Sequence, residues 1–106
     1  AIDVKTRRPK IARVTGGLSG PAIKPIGVYM VYQIAQTVRI PIIAMGGVET
    51  ADDAVEYFMA GASIVAIGKG LFSNPNVMTE IHNGVLGIME MHGANHIHDL
   101  RGSLII

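Results

Sequence analysis

An α/β fold on a parallel sheet is what this sequence predicts, and the sheet it predicts is incomplete. Three observations carry that reading. Segments of helical periodicity alternate with short apolar runs, the signature of βαβ construction. The runs at Pro41–Met45 and Ser63–Ile67 lack polar alternation, as strands covered on both faces do. Each run stops at glycine, Gly46-Gly47 after the first and Gly68-Lys69-Gly70 after the second.

Residues 2–14 read as an irregular or hairpin segment, with Val4 and Ile11–Val14 as candidate strands and Thr6–Pro9 as the turn. Thr15–Gly20 is a glycine-rich loop. Pro21–Val38 reads as a helix: Pro21 suits a first turn, and Ile23, Ile26, Met30 and Ile34 recur at three- and four-residue steps. Pro41–Met45 is the first strand. Thr50 reads as the N-cap of the next helix, with Asp53 completing a capping box and Gly61 as the stop after Ala60. Ser63–Ile67 is the second strand. Ser73-Asn74-Pro75 opens a helical region reaching His92, weakened by Gly84 and Gly87 and stopped by Gly93. A short helix around Asp99 and Leu100 and an apolar tail complete the chain.

Two parallel strands have two outer edges, whose N–H and C=O groups need partners. A right-handed crossover pairs the strands with each other on one side only. The rest of the sheet is therefore expected from outside this sequence, in a longer polypeptide, a split partner or an oligomer. Composition agrees. Hydrophobic residues make up 49% of the 106 and charged residues 16%, which excludes disorder and suggests more apolar surface than so short a chain can cover.

Other classes are disfavoured. No apolar run approaches a membrane span, and no signal peptide is visible in the basic first 13 residues. Those residues carry five basic side chains against Asp3, without interleaved aromatics, so a solvated hairpin is preferred to a nucleic-acid arm. Cysteine is absent, which removes a disulfide frame and any thiolate and fits a cytoplasmic location. His96 and His98 lie two apart and do not share a helix face, so no metal site is expected. His82 and His92 read as solvent-facing. Asp52, Asp53 and Glu56 suit a helix start rather than catalysis. The six methionines show core-like spacing.

The glycine turns point to function. Gly46-Gly47 and Gly68 end consecutive strands, 22 residues apart from Gly46 to Gly68. Glycine there lets backbone amides approach an oxyanion with no Cβ in the way, and helix starts add dipole ends. Paired loops of this kind, followed by a short extra helix such as Gly70-Leu71-Phe72, form the phosphate site of (β/α)8 barrels. Lys69 is open to two readings, a phosphate partner or a solvent-facing lysine. The loop Thr15–Gly20 is a second candidate anion site and matches neither a Walker A pattern nor a dinucleotide fingerprint.

The run Thr15-Gly16-Gly17-Leu18-Ser19-Gly20-Pro21-Ala22, with Lys24-Pro25, resembles the segment before the sixth barrel helix of class 1 dihydroorotate dehydrogenases, especially the class 1B catalytic subunit. Asp3–Thr6 is similar to the insert upstream of it, Ile40–Val48 to the seventh strand, and Ala60–Ser63 with Val65–Gly68 to the eighth. The resemblance fades after Phe72. It implies that residues 1–106 are the C-terminal segment of one FMN-binding barrel domain, with FMN contacts at Gly20, Gly46, Gly47, Gly68 and Lys69. The family usually has a small hydroxyl residue where Lys69 stands.

The implied reaction oxidises dihydroorotate to orotate in pyrimidine biosynthesis. A hydride passes to the flavin while a base removes the neighbouring proton. In class 1 that base is a cysteine. This chain has none, and the lysine beside the flavin and the asparagines that hold orotate belong to regions upstream of Ala1, so no catalytic residue is expected here. Implied partners are the missing barrel, an oligomeric neighbour and an electron-transfer subunit with FAD and an iron–sulfur cluster that uses NAD. The alternatives are another FMN barrel, such as a dihydropyrimidine dehydrogenase-like domain or a 2-hydroxy-acid oxidase relative, and a non-catalytic, truncated or split phosphate-binding module.

Overall fold

Residues 1–106, described by a computed structural model, form two separate two-stranded sheets and five α-helices. The first sheet is an antiparallel hairpin of β1 (Ile2–Asp3) and β2 (Arg8–Pro9). Its position differs from the expected strands at Val4 and Ile11–Val14, and its turn is Val4–Arg7 rather than Thr6–Pro9. Asp3 is the reason. Its carboxylate accepts from the Lys5 and Thr6 N–H groups at 2.9 and 3.1 Å, and its carbonyl accepts from Arg7 N–H at 2.8 Å. An Asx turn of this kind sets the reversal whatever the flanking apolar content.

A single 3₁₀ turn, Pro21–Ile23, leads into α1 (Lys24–Ala35). The helix stops short of Val38 because the N–H groups of Thr37 and Val38 both reach the Ile34 carbonyl, at 2.9 Å each. The expected stripe is not the buried side. Ile26, Met30 and Ile34 are exposed, whereas Val31 is buried with Val28 and Tyr32 packed beside it. Gly27 decides this: a Cβ there would strike the Tyr57 hydroxyl, so α1 seats on its neighbour along the Gly27–Val31 side.

A βαβ unit follows, of β3 (Ile43–Met45), α2 (Ala51–Ala60) and β4 (Ile64–Ala66). The strands are parallel, with Ile43 opposite Ile64, Ala44 opposite Val65 and Met45 opposite Ala66. They are shorter than the apolar runs. Pro41 has no N–H to give, and the N–H groups of Ser63 and Ile64 both converge on the Ile42 carbonyl, at 2.8 and 3.2 Å, before the regular ladder begins. The capping box of α2 is present: Thr50 Oγ1 accepts from Asp53 N–H at 3.2 Å and Asp53 Oδ2 accepts from Thr50 N–H at 2.9 Å. Gly61, at φ 121°, ends the helix.

The remaining helices are α3 (Gly70–Ser73), α4 (Val77–Met91) and α5 (Ile97–Leu100). Gly84, read as a weak point of α4, is where that helix meets α2, since a Cβ there would strike the Ala51 methyl. Asp99 caps α5 by accepting from the Asn95 and His96 N–H groups, both at 2.9 Å. Leu100 is buried, and Arg101 Nε donates to the Gly61 carbonyl at 3.2 Å, tying the segment to the end of α2.

The core is one-sided. Ala44, Val48, Ala54, Tyr57, Val77 and Ile81 fill the space between the helices and one face of the β3–β4 sheet. On the other face Ile43 and Met45 are each 66% exposed and Ile64 is 53% exposed. Neither strand has a second neighbour. The core-like spacing of the methionines does not translate into burial: Met30, Met45, Met78 and Met91 are all exposed, Met45 on the bare sheet face.

Candidate functional site

Parallel register places the turns after β3 and β4 side by side, because Met45 lies opposite Ala66. The loop that precedes α1 closes over them. Together they line a cleft of about 190 Å³ in which Gly20, Gly46, Gly47, Gly68 and Lys69, the five candidate residues, all take part.

The glycines play unequal parts. Gly46 and Gly47 have φ of 133° and 70°, conformations costly for any residue with a Cβ. Space forbids a side chain at Gly47 as well: a Cβ there would lie 2.8 Å from the Gly20 carbonyl oxygen and 2.8 Å from Lys24 Cβ. Gly20 is buried, with φ 93°. Gly68 is different. It has no positive φ, and a Cβ there would meet nothing within 4 Å. Gly70, which begins α3, packs so closely that a Cβ would sit 3.0 Å from the Val48 carbonyl oxygen.

Beneath the Gly46 turn stands Tyr57 of α2, fully buried, whose hydroxyl donates to the Gly46 carbonyl at 2.8 Å. Burial pushes its phenol above the ordinary value, so it stays a donor. The sequence reading missed this residue, because an aromatic on a helix reads as core and nothing local marks its hydroxyl. Lys24, also missed, donates to Asp53 Oδ1 at 2.6 Å and to Glu56 Oε1 at 2.9 Å. These bonds, to Asp53 first and Glu56 second, hold its ammonium above the usual value. Asp53 feels burial most, which by itself would raise it. The bonds it accepts from Lys24, Glu49 N–H and Thr50 outweigh that, leaving its carboxyl below the ordinary range. Asp53 thus joins α1 to the start of α2, behind the Gly47 turn.

The ionisable side chains in the cleft are Glu49 and Lys69, and they face each other: Lys69 Nζ donates to Glu49 Oε1 at 3.2 Å. The arrangement suits an anion held by backbone amides with one half-exposed cation at its rim. A larger cavity of about 450 Å³ lies between α2, β4, α4 and α5. Its walls include Phe58, Val65, Ile81, Val85 and Met89, and it is a gap in the apolar layer. His82, His92, His96 and His98 are exposed, and no group of three His, Cys, Asp or Glu residues is placed to hold a metal. No helix is long and apolar enough to cross a membrane.

Comparison with known proteins gives a consistent result. A family model for dihydroorotate dehydrogenase matches residues 1–89. Among curated relatives, the dihydroorotate dehydrogenase B (NAD(+)) catalytic subunit of Caldicellulosiruptor bescii is 52% identical over 106 residues, all of this chain and 35% of that protein. The corresponding subunit of Alkaliphilus metalliredigens is 49% identical over 104 residues, 98% of this chain and 34% of that one. The chain thus spans about a third of the length of the relatives it matches. Among solved structures, the DHODH of Eimeria tenella in complex with ferulenol superposes with a TM-score of 0.81 at 29% identity, covering 95% of this chain and 28% of that one.

Proposed function

The chain belongs to the dihydroorotate dehydrogenase family, and on that premise we propose that it is the segment of a (β/α)8 barrel that grips the phosphate of FMN in an enzyme oxidising dihydroorotate to orotate. One observation carries this reading: three loops distant in sequence bring Gly20, Gly46, Gly47, Gly68 and Lys69 to a single cleft. The cleft fits a phosphate monoester. Positive φ at Gly20, Gly46 and Gly47 and the close contacts at Gly47 exclude side chains there, which leaves room for a ligand to approach the backbone. Lys69 brings a cation whose partner, Glu49, is exchangeable.

FMN, when bound, supplies the hydride-accepting ring. The part of this chain is to bind and orient. Gly46 and Gly47 present amides to the phosphate, Gly20 closes the cleft from the α1 side, and Gly68 and Lys69 close it from the α3 side. Tyr57 and the Lys24–Asp53 pair hold the turns in place from behind. No residue here serves as base for the substrate proton. That step, and recognition of the pyrimidine, fall to other parts of the barrel. The named relatives are catalytic subunits of an NAD(+) enzyme; the partner in this reading is an electron-transfer subunit with FAD and an iron–sulfur cluster passing electrons to NAD, in the cytoplasm, within an oligomer.

The test is flavin binding by the complete enzyme. Apo-enzyme is expected to take up FMN far more tightly than riboflavin, and Gly47→Val, which fills the cleft floor, to lose FMN. Equal affinity for FMN and riboflavin would end the phosphate reading.

A further inference from the structure

Lys69 departs from its surroundings in chemistry and in position. Every other proposed contact is a glycine, and this one is a long cation. Its stem lies across buried Gly20, where a Cβ would come 3.4 Å from Lys69 Cδ and 3.6 Å from Nζ. Its ammonium crosses the cleft mouth to Glu49 on the opposing loop, 3.2 Å away. The two side chains are 48% and 35% exposed, and Glu49 makes no other side-chain bond. Such a pair is weak, because water screens it and two long side chains lose freedom to form it. The Lys24–Asp53 pair behind the turn contrasts with it: that one is shorter, less exposed and tied into the capping box.

We propose that Lys69 and Glu49 form an exchangeable ion pair that sets the phosphate selectivity of this cleft, an inference that rests on the function proposed above. Glu49 acts as an internal competitor. With no ligand it neutralises Lys69 and keeps the mouth from holding small monoanions. A phosphate monoester carries nearly two negative charges at neutral pH, so it outcompetes a single carboxylate for the ammonium. Lys69 then turns inward on its flexible stem and adds a charge-assisted bond to those from the amides. Glu49, left facing an anion, costs affinity by repulsion. The cation thus raises affinity for the phosphate form, and the carboxylate sets a threshold that weaker anions do not pass.

Two substitutions separate these effects. Lys69→Met keeps the apolar stem over Gly20 and removes only the charge. Glu49→Gln keeps the size and removes the competitor. The complete enzyme is stripped of flavin and titrated with FMN and with riboflavin, following flavin fluorescence. Lys69→Met is expected to weaken FMN by roughly tenfold, the scale of one charge-assisted bond, and to leave riboflavin within about twofold. Glu49→Gln is expected to tighten FMN by about two- to fivefold, the scale of an exposed ion pair, and to tighten it less once Lys69 is Met, where only the repulsion is relieved and no competition for the ammonium remains. The inference is overturned if Lys69→Met weakens both flavins alike or neither, or if Glu49→Gln leaves FMN affinity unchanged or lowers it. A wild-type enzyme that fails to distinguish FMN from riboflavin would instead overturn the underlying assignment, so the two failures are told apart.

Discussion

Tyr57 hydroxyl and Gly46 carbonyl meet at 2.8 Å under the turn that shapes the cleft. Tyr57→Phe keeps the buried ring and leaves that carbonyl without its donor. The expected cost is about 1–3 kcal/mol of unfolding free energy, the range for an unpaired buried acceptor, read from urea melts of the complete enzyme, together with weaker FMN binding. A variant as stable as wild type would remove Tyr57 as a positioning residue. The glycines allow a sharper contrast. Gly47→Ala places a methyl against the Gly20 carbonyl in a left-handed conformation, and should cost about 1–3 kcal/mol. Gly68→Ala meets open space and no strain, and should stay within about 0.5 kcal/mol of wild type. Equal losses at the two positions would refute the geometry described for the turns. Sequence spacing was enough to name both residues, because a glycine after each strand is visible in one dimension. It does not separate a glycine required by its φ from one that merely lies on the path. Nor does it reveal Tyr57, whose role depends on a carbonyl 11 residues away.

At the scale of elements, helix α2 was the most legible part, since its signals are local: Thr50 and Asp53 at its start, Gly61 at its stop. What the sequence left hidden is that Asp53 also bonds Lys24, 29 residues earlier, and so joins two helices. This has a pH consequence. Asp53 sits below the ordinary carboxylate range, so its contribution to stability is complete above about pH 4 and is lost as pH falls through its lowered folded value. Lys24 sits above the ordinary ammonium range, so its contribution is complete below about pH 10 and is lost as pH rises through its raised folded value. Stability from this pair is flat between those limits. Asp53→Asn should lower the plateau by about 1–2 kcal/mol, from the weakened cap and lost ion pair, and flatten the acid limb of urea midpoints plotted against pH. An unchanged acid limb would show that other carboxylates govern it. Helix α1 was less legible: its apolar stripe was plain, but Gly27 against Tyr57 turns a different side inward, and that contact is tertiary. The same holds for the hairpin, displaced by the side chain of Asp3.

For the whole molecule, the open sheet is the dominant fact. The radius of gyration is 16.6 Å, against about 13 Å for a compact domain of this length. Only 14 of 106 residues are buried, so the helices and one sheet face carry a thin core. Ile43, Met45 and Ile64 face outward from strands whose far edges have no partner, a surface prone to pair with other chains. The incompleteness was legible in the sequence, because strands apolar on both faces with only one neighbour each cannot satisfy their edges. The 106 residues produced alone are therefore expected to self-associate or bind a hydrophobic dye, and to show no dihydroorotate oxidation. Co-expression with the remaining two-thirds of a related catalytic subunit is expected to give a monodisperse complex, flavin-yellow if the proposed FMN site is right, because added strands would cover the bare face. Ile43→Lys lies on that face and away from the cleft. It should improve the solubility of the isolated segment and weaken reassembly in the complex, a pair of opposite effects that a cleft residue would not produce. Dye-free, monomeric behaviour of the segment alone would mean that the exposed face is tolerated by water, and that the missing strands are not what the fold requires.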